Sequence, residues 1–187
     1  MTKIRPINQT DTLLIRLAKK ANKKAQLSIY DKYSAKMLAV CRQYIKDLHF
    51  AEDVMITAFH KVFLNIESYQ PYGSFEAWIR QIMVRECISY LRIQKNKFNV
   101  VEIEDNHFLH HEQQDFTNKD RIQLAIDNLP IGCKTVFNLY AIEGYKHQEI
   151  AEMLNISLGT SKSQLSHARK LLQSQLEKFN ISNNGTE

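Results

Sequence analysis

The chain has 187 residues with 44% apolar side chains, enough for one or two domains that each bury a core. Gly at 5 and Pro at 3 argue against a turn-dense β architecture, and no apolar run nears the roughly 18 residues of a bilayer span. The net charge of +5 is unevenly spread: residues 1–97 hold a large Lys/Arg excess, residues 98–117 hold five acids and no Lys or Arg, and residues 118–187 are nearly balanced. A polyanion partner is therefore expected for the front half and not for the middle.

Residues 1–10 are polar and lack the apolar core of a signal peptide, so a cytoplasmic location is expected. Residues 25–48 place Leu27, Tyr30, Met37, Leu38, Cys41, Tyr44, Ile45 and Leu48 at the period of one amphipathic helix. Residues 51–66 repeat the pattern with Val54, Ala58, Phe59, Val62, Phe63 and Ile66. Pro71 and Gly73 then punctuate a loop over residues 69–74, and Ser74 is placed to cap the next helix. That helix, residues 75–97, has two apolar stripes: Phe75, Trp78, Ile79 and Ile82 on one side, and Val84, Cys87, Ile88 and Leu91 nearly opposite. One buried face would not need both; the second stripe meets either another element or a partner.

The period is lost over residues 98–117, which read as an acidic linker. His110 and His111 have no partner ligands at fixed spacing, and the three cysteines (Cys41, Cys87 and Cys133) are far apart in apolar surroundings, so buried thiols and no metal site are expected. Periodicity returns at Ile122, Ala125, Ile126 and Leu129. Pro130 opens another helix with Val136, Leu139 and Tyr140 inward, and Gly144 is a stop signal.

Residues 144–170 have helix-turn-helix spacing. Ile150, Ala151 and Leu154 face inward from a first helix, Asn155-Ile156-Ser157 forms the turn, and Ser157 caps the second helix. Ala151 supplies the small side chain that a steep crossing needs. Leu158, Leu165 and Leu172, flanked by Ser161 and Ala168, make the expected inner stripe. The opposite arc presents Thr160, Ser163, Ser166, His167 and Lys170, with Lys162 beside it. Short hydroxyls and cations suit a major groove, although a solvated surface helix shows a polar arc too. The fold expected is all-α: two helical domains joined by an acidic linker, the C-terminal one a helix-turn-helix.

Two ordered sets of motifs carry a family resemblance. The front half has Ala51-Glu-Asp-Val54, Ala58-Phe59-His-Lys61-Val-Phe63, Phe75-Glu-Ala-Trp78-Ile79 and Tyr90-Leu-Arg92. The rear half has Leu129-Pro130, Val136-Phe137, Glu143-Gly144-Tyr145, Glu149-Ile-Ala151 and Gly159-Thr160. Together they resemble regions two and four of the extracytoplasmic-function (group IV) RNA polymerase sigma factors. The chain departs from the family pattern at Ile56-Thr57 (often Gln-Glu), Arg85 (Asn), Ser89 (Asp) and Lys146 (a capping Ser or Thr).

The resemblance implies a division into an N-terminal extension (residues 1–20), region 2 (21–97), the linker (98–117), region 4 (118–179) and a tail (180–187). It implies that Glu52 and Asp53 dock on the clamp helices of core RNA polymerase; a bare preference for a helix N-terminus would place acids there as well. Region 2 would melt and hold the −10 element with Tyr69 and Tyr72 of the loop and the cations Lys61, Arg80, Arg85 and Arg92, joined by Lys95 and Lys97. The two tyrosines could equally be loop anchors, and Phe75 and Trp78 belong to the core. Region 4 would read the −35 element, with Lys162, Ser163, Ser166 and His167 facing bases and Thr160, Lys146 and Arg169 touching the backbone.

The linker would lie in the polymerase RNA channel, or serve only as a self-repelling tether. Promoter DNA and core polymerase are the implied partners, with an anti-sigma factor as a third. No cofactor and no small-molecule substrate are implied. An enzyme is disfavoured, since no P-loop, GxGxxG, HExxH or nucleophile grouping is present. A regulator acting without core polymerase is disfavoured too, because residues 21–97 read as helical and basic, not as a ligand or receiver domain.

Overall fold

The computed structural model describes residues 9–71, 73–97 and 118–183, and every regular element among them is helical. They fall into two compact units, one within Met1–Lys97 and one within Phe98–Glu187. The expected acidic linker lies outside the described residues, as do His110 and His111. No helix of the described residues is long and apolar enough to cross a membrane.

In the first unit α1 spans Gln9–Lys19, α2 Lys23–Tyr44, α3 Leu48–Leu64 and α4 Phe75–Lys97, with a 3-10 turn at Ile66–Ser68. Helix α2 starts earlier than its apolar period suggests because the Asn22 side chain accepts the Ala25 N–H at 3.1 Å. The period running on to Leu48 hides a break. Ile45 is extended, and Asp47 caps α3 by accepting the Phe50 N–H at 3.1 Å. Helix α4 packs against both α2 and α3, which accounts for its two stripes. Phe75, Ile79 and Met83 are buried, and so are Val84, Cys87 and Ile88. Cys41 and Cys87 are buried free thiols; a hydrogen bond with Cys41 and burial push the Cys87 thiol far up.

Helix α1, inside the stretch expected to be an extension, lies against α2 and the 3-10 turn and buries Ile15 and Ala18. Asp11 pairs with Lys32 and accepts the Tyr33 hydroxyl at 3.1 Å. Burial first, then the Asp11 charge, raises the Tyr33 phenol. Lys19 Nζ donates to the carbonyls of Glu67 and Tyr69 at 3.2 and 3.1 Å. These bonds tie α1 to the segment that leads into α4.

The exit from α1 is a Schellman motif: the Asn22 N–H reaches the Leu17 carbonyl at 3.2 Å and the Ala21 N–H reaches that of Ala18 at 2.9 Å. Ala21 holds the left-handed position, with φ 56°, where a Cβ is unfavourable. Ala21→Gly is expected to stabilise the unit by about 0.5–1 kcal/mol. The measurement is the urea midpoint of the lone tryptophan, Trp78, with an unchanged m-value; a midpoint that stays put or falls contradicts the strain.

In the second unit α5 spans Asn118–Asp127, α6 Ile131–Phe137, a π turn Asn138–Ile142, α7 His147–Leu154 and α8 Leu158–Asn183. Helices α5, α6 and α7 all pack on α8. Leu129, Cys133 and Ala168 form a core cluster lined by Phe137, Leu171 and Leu172. The π turn closes with the Glu143 N–H on the Asn138 carbonyl at 3.0 Å, and Gly144, at φ 79°, ends the helix as expected.

Two inward placements are corrected here. Tyr140 is 37% exposed, because the wider π turn rotates it away from the face that holds Val136 and Leu139. Leu158 is 40% exposed: it opens α8, and the buried stripe is instead Ser161, Leu165 and Ala168, with Leu172 half-buried.

Candidate nucleic-acid interface

The turn between α7 and α8 is fixed at both ends. Asn155 sits left-handed, at φ 52°, and closes a second Schellman motif through the Ile156 N–H on the Ala151 carbonyl at 3.0 Å. Ser157 then caps α8, its hydroxyl accepting the Thr160 N–H at 2.9 Å. Ahead of α7, the Glu149 carboxylate accepts the Lys146 N–H at 2.7 Å, the half of a capping box that needs no hydroxyl. An all-donor ammonium cannot supply the other half, so Lys146 keeps an exposed cation at the helix start.

On α8 the expected arc is outside: Thr160, Lys162, Ser163, Ser166, His167, Arg169 and Lys170 are all exposed. Two of its hydroxyls are engaged within the protein. Thr160 Oγ1 lies 2.8 Å from Ser157 Oγ, and Ser163 donates to the Thr160 carbonyl at 3.0 Å. Gln164 is half-buried, its amide oxygen accepting from the Cys133 thiol at 2.8 Å, and His167 Nδ1 lies 3.7 Å from the same sulfur. Burial raises the Cys133 thiol.

In the first unit the expected −10 set divides. Tyr69 is only 4% exposed. Its ring packs on Phe75 and Trp78 at centroid distances of 4.9 and 5.4 Å, and its hydroxyl donates to the Gly73 carbonyl at 2.8 Å. Of the two readings of Tyr69, loop anchoring matches this placement, because the ring has no free face for a base. Tyr72 lies outside the described residues, as do the side chains of Lys95 and Lys97. Lys61 clasps the Glu86 carboxylate at 2.7 and 2.8 Å, and Arg80 points to Gln43 at 3.4 Å. Arg85 and Arg92 are exposed at helical spacing on α4. Gln81 and Ser89, the latter already noted as a departure from the family pattern, share that exposed stripe; sequence reasoning passed over Gln81, although its spacing from Arg85 would have found it.

Glu52 is half-buried and Asp53 exposed. Because Asp47 caps α3, its first turn holds no acid, and both carboxylates stand one turn further in. A helix dipole acts mainly within the first turn, so it gives a weak reason for their presence.

Residues 29–97 match the family model described as Sigma-70 region 2, and residues 119–172 match that described as Sigma-70, region 4. RNA polymerase sigma factor SigV of Bacillus subtilis (strain 168) is 32% identical over 139 residues, which is 74% of this chain and 83% of the relative. ECF RNA polymerase sigma factor SigW of the same organism is 28% identical over 176 residues, covering 87% and 94%. The chain belongs to the sigma-70 family, as an extracytoplasmic-function sigma factor.

A sigma factor recognises promoters through these two regions and works with core RNA polymerase in transcription initiation, not as an enzyme. Among solved structures, the sigma factor RpoE in a co-crystal with the anti-sigma factor NepR from Bartonella quintana shares the fold, with a TM-score of 0.50 and 21% identity, covering 80% of this sigma factor and 95% of that chain.

Proposed function

We propose that α8 reads the −35 element of the promoter, with Lys162, Ser163, Ser166 and His167 at base edges and Thr160, Lys146 and Arg169 on the phosphate backbone. The observation that carries this reading is the exposed polar and cationic arc of α8, which lies opposite its buried stripe and directly follows a doubly fixed turn. Replacing Lys162 and His167 by Ala is expected to change discrimination among −35 sequences by about 1–3 kcal/mol per lost base contact. The measurement is competitive binding of holoenzyme to promoter variants. A uniform loss across all sequences would assign both side chains to phosphate instead.

The −10 element falls to region 2, where Arg85 and Arg92 are the exposed cations among the described side chains of α4. Tyr69 acts by anchoring the loop that carries Tyr72, and Lys61 and Arg80 meet DNA with the donors that Glu86 and Gln43 leave over. Glu52 and Asp53 dock on core polymerase, supported by their position beyond the dipole's reach.

The boundaries follow the same reading: an N-terminal stretch to residue 20, region 2 over 21–97, linker over 98–117, region 4 over 118–179 and a tail to 187. The linker's five acids, with no Lys or Arg, suit a path through the basic RNA channel. A cytoplasmic location and an anti-sigma partner complete the proposal.

A further inference from the structure

The π turn that carries Tyr140 outward does more than expose a ring. The His147 ring stacks on Tyr140 at 4.7 Å between centroids, with an interplanar angle of 26°. His147 Nδ1 lies 2.9 Å from the hydroxyl of Ser161, which is fully buried on α8. Tyr140 is thus held by a ring that is itself pinned to the recognition helix. The Arg169 guanidinium carbon lies 5.7 Å from the centroid of the Tyr140 ring, within cation–π range. Arg169 is exposed, on a long side chain with many rotamers.

We infer that Tyr140 is a positioning residue, its ring face holding the Arg169 guanidinium ready for a promoter phosphate. The inference rests on the proposed reading of Arg169 as a backbone contact. A guanidinium already resting on a fixed ring loses less rotamer freedom when it meets a phosphate. The hydroxyl of Tyr140 has no part in this, so the ring alone is needed.

The experiment uses holoenzyme, this chain with core RNA polymerase, on a promoter fragment recovered by mapping transcription starts after overproduction of the chain. Affinity is measured between about 50 and about 200 mM salt. Arg169→Ala is expected to reduce the slope of log affinity against log salt by about 0.9, the share of one phosphate, so its deficit against wild type narrows about 3.5-fold across that range. Tyr140→Leu, which keeps an apolar side chain without a ring face, is expected to reduce the slope by at least about half as much, because Arg169 without its ring platform meets the phosphate in only part of the bound population. Tyr140→Phe is expected to keep the wild-type slope. The double variant Tyr140→Leu/Arg169→Ala is expected to lose no more than Arg169→Ala alone.

A wild-type slope in Tyr140→Leu beside a reduced slope in Arg169→Ala overturns the inference and leaves the reading of Arg169 standing. An unchanged slope in Arg169→Ala removes both. Equal losses in Tyr140→Leu and Tyr140→Phe would assign the effect to the hydroxyl and also overturn the inference.

Discussion

Phe75→Ala is expected to cost the first unit about 3–5 kcal/mol, the range for deleting a buried aromatic side chain. Phe75 is 3% exposed and touches three other rings: Tyr33 at 5.9 Å, Tyr69 at 4.9 Å and Trp78 at 5.7 Å. Those rings come from α2, the loop and α4, so the cavity would open where three parts of the unit meet. The loss is read from the urea transition of Trp78 fluorescence, which reports the first unit alone because the chain has 1 Trp. Promoter opening should fall with it, since Tyr69 can anchor the loop only while Phe75 fills the space behind it. A cost under about 1 kcal/mol would mean the cluster is loosely packed and does not hold the loop.

Reversing two charges should separate docking from folding. The double variant Glu52→Lys/Asp53→Lys is expected to weaken binding to core polymerase by at least about 2 kcal/mol, or roughly 30-fold. The Trp78 transition should move by less than about 0.5 kcal/mol, because both side chains retain solvent access and stand clear of the cap of α3. Equal affinity for core in the variant and the wild type would remove Glu52 and Asp53 from the docking surface. A matching loss of folding stability would recast them as structural residues.

Much of the helical layout was legible because apolar side chains recur at helical spacing, and Ser157 caps α8 and Gly144 follows the π turn where sequence reasoning placed them. What escaped has identifiable causes. The break between α2 and α3 was hidden because Tyr44, Ile45 and Leu48 continue the apolar period across a kink, while the signal lay in the Asp47 cap. The double stripe of α4 could not be assigned to an inner neighbour, since a sequence does not say that a helix lies between two others. Tyr140 was misplaced because a π turn breaks the steady rotation that periodicity assumes. Leu158 was misplaced because it keeps the seven-residue spacing of Leu165 and Leu172 yet is the first residue of α8, where burial begins only at Ser161.

The candidate site was legible in its residue types more than in its geometry. The polar arc of α8 followed from composition and spacing alone. The clasp of Lys61 on Glu86 and the burial of Tyr69 required the packing of α3, α4 and the loop. Lys19, which donates to the Glu67 and Tyr69 carbonyls, carried no signal that would mark it out among the many lysines of the front half.

The most direct measurement is reconstituted initiation. Core RNA polymerase, the purified chain and a promoter fragment should together yield a transcript from a defined start, and omission of the chain should abolish it. Tight duplex binding by the chain alone, with no transcript from core at any salt concentration, would contradict the account and leave a free-standing regulator in its place.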